Sequence, residues 1–260
     1  MIFLVSNLLN YKKENGMRIP QEINNDNNIV DELRENLISK NSMLYIASDP
    51  NDYKKIEDYS SLTFESFKKS GIEFNNYNIL DNRNKDDAKE LIKNSDFIYL
   101  SGGDTYIQNK FFESINLKEF LKEYNGIILG ISAGAINLAK TAYDSPERLE
   151  DIKKPHVFDG LDKTTINVEP HFILDTKNFN EDELMQRNEV LKESYNRDIY
   201  ALTDGSHILI KNDEIVIHGE VYIISSGKIS KITNNKEHII INKNKKRNDI
   251  WKLKKEINMG

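Results

Sequence analysis

The chain has 260 residues, 38% of them hydrophobic and 30% charged, with a net charge of −6. This is the balance of a globular chain with a sizeable core, and its mild negative charge argues against a nucleic-acid partner. With no cysteine there is no disulfide, thiolate metal site or cysteine nucleophile, and no apolar run reaches transmembrane length.

In chain order, strand-like and helix-like stretches alternate. Residues 2–5 are apolar with no basic segment before them, which reads as a first strand and not a signal peptide, and points to the cytoplasm. Residues 29–37 suit a helix, residues 43–47 a strand, and residues 53–69 a helix with Ile56, Tyr59, Leu62 and Phe67 near helical spacing. A strand over 72–80 and a helix over 85–93 follow. The apolar run from Asp96 to Leu100 is a buried strand that opens into Ser101-Gly102-Gly103-Asp104-Thr105. After helices within 111–124 comes Gly126-Ile127-Ile128-Leu129, again strand-like, then Gly130-Ile131-Ser132-Ala133-Gly134 and a helical stretch. Such alternation implies a parallel sheet covered on both faces.

Past a helix over 181–195 the pattern changes. Five short strands, starting near Ile199, His207, Glu214, Val221 and Lys228, are separated by turn signals such as Asp204-Gly205 and Ser226-Gly227. The fold class is therefore α/β: a mostly parallel sheet with helices on both faces, extended by a C-terminal antiparallel meander. One α/β domain is expected over residues 1–240. Residues 241–260 form a basic tail of solvated charge, with Trp251, Leu253 and Ile257 anchoring a short helix.

A serine between two glycines at a strand-to-helix turn has the form of a nucleophile elbow. The turn lifts the hydroxyl of Ser132 to a helix N-terminus, where free N–H groups favour developing negative charge. A serine needs a base. Of the histidines, His207, His218 and His238 fall in the strand-rich end, where alternation can place them on a solvated face, and His156 follows Lys-Lys-Pro in a loop. His171 stands where the short strand before Glu169-Pro170 must turn, at a strand end suited to a catalytic imidazole. The Gly102-Gly103 turn can offer a backbone N–H to an oxyanion, with that of Ala133 as partner. A plain turn and a phosphate-cradling loop are its other readings, but no Gly-Lys-Ser/Thr follows as in a P-loop.

Ser101-Gly102-Gly103-Asp104-Thr105, Gly130 to Ala135, and Glu169-Pro170-His171-Phe172, in this order, resemble the peptidase E family of serine peptidases, which includes aspartyl dipeptidases and, more distantly, cyanophycinases. The similarity runs over roughly residues 1–232. It implies a fold related to class I glutamine amidotransferases with serine in place of cysteine. It makes Ser132 the nucleophile and His171 the base, with oxyanion N–H groups from Gly103 and Ala133. The glutamate that glutamine amidotransferases carry two residues after the histidine is replaced here by Ile173. The family's acid is expected in the loop after the elbow helix, where Glu147 fits best and Asp144 is its rival; Asp204 is a third candidate. Preference for an N-terminal aspartate requires a cation, for which Arg148 and Arg187 are the candidates. The expected activity is hydrolysis of short peptides through an acyl-enzyme on Ser132, with no metal and no cofactor. The expected partner is a short peptide substrate, not nucleic acid or membrane, with a homodimer left open. Two alternatives stand: another acyl hydrolase (esterase or amidase), and a non-catalytic protein binding a small molecule or peptide on the same fold.

Overall fold

A computed structural model describes residues 1–212 and 214–242; the basic tail from Lys243 and its expected helix lie outside the described residues. The chain opens with β1 (Ile2–Val5), then a hairpin of β2 (Tyr11–Glu14) and β3 (Met17–Pro20). The hairpin turns at Asn15-Gly16, both with positive φ, the I′ geometry that an Asn-Gly pair favours. Helix α1 (Ile29–Asn36) leads to β4 (Ser42–Ile46) and α2 (Tyr53–Lys69). The side chain of Asp52 caps α2 by accepting from the N–H of Lys55, and Ile56, Leu62 and Phe67 are its buried apolar face. Strand β5 (Asn76–Leu80), α3 (Ala88–Lys93), β6 (Phe97–Leu100), α4 (Thr105–Ser114), α5 (Leu117–Phe120), β7 (Ile127–Ile131) and the short α6 (Ala133–Asn137) follow.

The second half starts with a small hairpin, β8 (Thr141–Tyr143) and β9 (Val157–Asp159), then β10 (Asn167–Glu169) and α7 (Glu181–Glu193). It ends in β11 (Ile199–Leu202), β12 (His207–Lys211), β13 (Glu214–His218), β14 (Val221–Ser225), β15 (Lys228–Thr233) and β16 (His238–Asn242).

The main sheet has the order β16-β13-β12-β1-β7-β6-β4-β5. From β1 to β5 every pairing is parallel, whereas β12, β13 and β16 add on antiparallel. Only part of the expected meander thus extends the sheet. The rest joins β10 in a second sheet, β10-β11-β14-β15, in which β10 and β11 run parallel. The pleat of β1 divides the core: Ile2 and Leu4 pack with α4, α5 and the second sheet, while Phe3 and Val5 pack with α1 and α2. A smaller cluster of Phe172, Val190, Ile199 and Tyr222 ties α7 to the second sheet.

Candidate active site

The parallel strands end at one edge, where ligands bind in open α/β sheets. At the end of β7, Ser132 adopts φ 50° and ψ −112°, a conformation costly for a residue with a Cβ. Its N–H donates to the carbonyl of Val5 at the end of β1, 2.9 Å away, which holds the turn. The flanking glycines permit it: a Cβ on Gly130 would meet the backbone of Gly134, and one on Gly134 the carbonyl of Leu100. Beside the elbow, Gly103 has φ +150° and packs against Ser48, where no side chain fits. Among the described residues no acceptor meets the backbone N–H of Gly103 or of Ala133.

His171 follows β10 and takes φ 55°, another strained position. Its Nε2 lies 3.1 Å from Ser132 Oγ. Its Nδ1 lies 2.7 Å from Asp204 Oδ1, at the loop after β11. With Nδ1–H donating to the carboxylate, Nε2 is left to accept from the serine hydroxyl. The pairing raises the pKa of His171 above the usual value, through the hydrogen bond to Asp204, and lowers that of Asp204 through the same bond.

The expected acid is thereby corrected: the carboxylate on the imidazole is Asp204, not Glu147. Strands β10 and β11 are parallel neighbours, with Glu169 opposite Ala201, so the residues just beyond each come together at one end. Glu147 is exposed in the loop after β8 and acts on His171 only through space. Its rival Asp144 is engaged elsewhere, accepting from the Thr105 hydroxyl at 2.8 Å, and burial pushes its carboxyl up to about 6.

Ser6, at the end of β1, is a site residue that sequence reasoning missed. Its hydroxyl donates to Asp204 Oδ1 at 3.1 Å and accepts from the N–H of His171 at 2.8 Å. Its position at the carboxyl end of an apolar strand was the available signal.

Of the other histidines, His238 is exposed and His156 lies in a loop, as expected, whereas two depart from expectation. His207 and His218 are not solvated: they are 0% and 3% exposed, and their rings stack 4.5 Å apart, because register puts His207 opposite both Val5 and His218. His156 is half-buried, its ring nitrogens 2.8 Å and 2.9 Å from the carbonyls of Asp144 and Asp151.

Ser132, His171 and Gly103 line two cavities at once. One, about 320 Å³, is walled by β1, β4, α2 and the loop after β6. The other, about 270 Å³, lies toward α7 and contains Asp144, Glu147, Glu169, Glu183 and Arg187. A larger one, about 920 Å³, lies at the opposite, amino ends of the strands and contains none of these groups. Of the two candidate cations, Arg187 faces the second cavity, with its guanidinium over Phe172 and a bond to the carbonyl of Ile173. Arg148 lines none of these cavities and sits on the surface 3.6 Å from Glu150. Glu169 is buried, accepts from Ser145 at 2.8 Å and Gln186 at 3.3 Å, and is pushed up to about 8 by desolvation.

The chain matches the family model of Peptidase family S51 over residues 21–218. It belongs to peptidase family S51. Two solved structures share the fold of this S51 peptidase. One is a peptidase from an acI-B1 actinobacterium: TM-score 0.63, 18% identity, covering 92% of this chain and 96% of that one. The other is a protein of Listeria monocytogenes EGD-e described as a peptidase E: TM-score 0.56, 17% identity, covering 83% of this chain and 96% of that one. No curated protein sequence matches the chain. The S51 assignment makes it a serine peptidase. No helix among the described residues is long and apolar enough to cross a membrane, and no group of three or more metal-ligating side chains occurs among them.

Proposed function

We propose that this serine peptidase cleaves short peptides, dipeptides above all, with Ser132 as nucleophile, His171 as general base and Asp204 as the acid that orients it. The observation that carries the reading is the continuous chain from Ser132 Oγ through both ring nitrogens of His171 to Asp204. Ser132 attacks the scissile carbonyl as its proton passes to Nε2 of His171. Asp204 stabilises the imidazolium that forms. The oxyanion is received by the N–H groups of Gly103 and Ala133, which have no protein acceptor to give up among the described residues. The imidazolium protonates the departing amine, and water then hydrolyses the acyl-enzyme with the same histidine as base. A completed relay favours hydrolysis over the binding-only alternative.

Arg187 is the cation for an N-terminal aspartate. Burial holds the neighbouring Glu169 with its pKa near 8, so at neutral pH the guanidinium faces a largely uncharged carboxylic acid and keeps its attraction for an anion. The test is a dipeptide panel varied at the N-terminal residue, run on wild type, Ser132→Ala and Arg187→Ala. Ser132→Ala abolishes turnover, and Arg187→Ala removes preference for Asp over Asn at that position. Turnover undiminished in Ser132→Ala defeats the reading; an Asp preference that persists without Arg187 defeats the cation assignment.

A further inference from the structure

Because Ser132 and His171 open onto two cavities, a peptide bound across them divides at the scissile bond: one cavity holds the acyl residue, the other the departing amine. We propose that the α2-side cavity is the leaving-group subsite. It takes a single residue with a bulky apolar or aromatic side chain, and its free α-carboxylate is recognised by Lys55. This rests on the peptidase reading above and adds to it the polarity of binding and the chemistry of the departing residue.

The charges set the polarity. Besides the buried, largely uncharged Glu169, three acidic side chains, Asp144, Glu147 and Glu183, line the α7-side cavity against one cation, Arg187, which suits the end of the peptide bearing an ammonium group. The α2-side cavity has one lining cation, Lys55. Its two acids are engaged by the turn that starts α2: Asp49 accepts from the N–H of Asn51 at 3.1 Å, and Asp52 from the N–H of Lys55 at 3.1 Å. Lys55 is exposed and forms no ion pair among the described residues. A free carboxylate entering here meets an uncommitted positive charge.

The walls set the side chain. Tyr11, Tyr45, Tyr59 and Tyr99 line the cavity with Ile56 and Ile131. Tyr45 and Tyr99 stack at 5.5 Å and form a buried floor. Arg18 of the β2–β3 hairpin lies over Tyr59 at 4.7 Å and Tyr11 at 5.5 Å, fastening the hairpin to α2. The volume, about 320 Å³, is at the lower end of small-ligand cavities, so the departing group is one residue and not a chain.

The experiment measures binding apart from turnover. Ser132→Ala protein is titrated calorimetrically with Asp-Phe, Ala-Phe, their C-terminal amides, and Asp-Gly. Both amides are expected to bind at least ten-fold more weakly than the free acids, and Asp-Gly more weakly than Asp-Phe. In Ser132→Ala/Lys55→Ala the acid-to-amide ratio falls to near one, and in Ser132→Ala/Lys55→Arg it is largely restored. A ratio near one with Lys55 present, or one that survives Lys55→Ala, overturns the assignment. Hydrolysis by the intact protein is scored separately. Peptides cleaved with no acid-to-amide discrimination defeat the subsite and leave the peptidase reading standing. A Lys55-dependent ratio without cleavage of any peptide does the reverse.

Discussion

His171 and His207 both meet the end of β1, and their surroundings treat the imidazole in opposite ways. The N–H of His171 is bonded to Ser6, and its ring is half exposed beside Asp204, which favours the protonated form. His207 pairs with Val5 one residue earlier on β1, has no hydrogen-bond partner on either ring nitrogen, and is held well below its usual pKa by burial. Its neighbour His218 is likewise lowered, to about 4, and its Nε2 stops 3.7 Å from Glu32, beyond hydrogen-bond reach. The same side chain is thus paired with a carboxylate and a serine hydroxyl in one place and buried as a flat, unpaired plate in the other. What separates them is a carboxylate within reach.

The sharpest way to break the contrast is to remove that carboxylate. Asp204→Asn should lower kcat/KM on the order of 10⁴-fold, the scale seen when a triad aspartate becomes asparagine. A loss below about ten-fold would mean that another acid orients His171.

A pH series tests both histidines at once. With His171 as the proposed base, catalysis needs its neutral form; its pKa is raised, so activity should fall on acidification with a midpoint above the ordinary value of about 6.5. Stability should respond in a lower window. The folded protein keeps His207 and His218 neutral while the unfolded chain takes up protons near pH 6.5, so their contribution is complete above that pH. It is lost progressively as pH falls from there toward the folded value of His218, about 4. The raised pKa of Glu32 works in the opposite sense. His207→Leu should therefore flatten the fall in melting temperature between pH 6.5 and pH 5, a range taken from the unfolded histidine pKa of about 6.5. An unchanged slope would remove His207 from the acid response.

Ser6→Ala deletes the hydroxyl that joins Asp204 to the backbone of His171. Activity should drop about ten-fold, equivalent to one hydrogen bond to a charged group, with the loss in kcat. Smallest of all, Glu147→Gln should leave kcat within about two-fold, because an exposed, screened carboxylate contributes little to the imidazole. Its effect, if any, belongs to KM, since Glu147 lines the acidic cavity. A kcat collapse in Glu147→Gln with an active Asp204→Asn would restore the acid first expected.

Much of this protein was legible in its residues because the signals are local. Alternating apolar runs require strands and helices, and Gly130 and Gly134 around Ser132 require a turn too tight for larger residues. Five parallel strands, the elbow and the loop position of His171 follow from stretches a few residues long. The Asn15-Gly16 hairpin was equally local, yet its strands are mostly exposed, so no apolar pattern marked it. The choice of acid was not local. Asp144, Glu147 and Asp204 are all loop carboxylates, and only the pairing of β10 with β11 in a sheet apart from the main one brings Asp204 to Nδ1. Nor could strand alternation show that His207 is covered on its own face by His218 and packed beside Phe3. Chain propensity determined where the backbone turns. Which side chains meet across a turn depends on strand register between distant segments, and that only the tertiary structure decided.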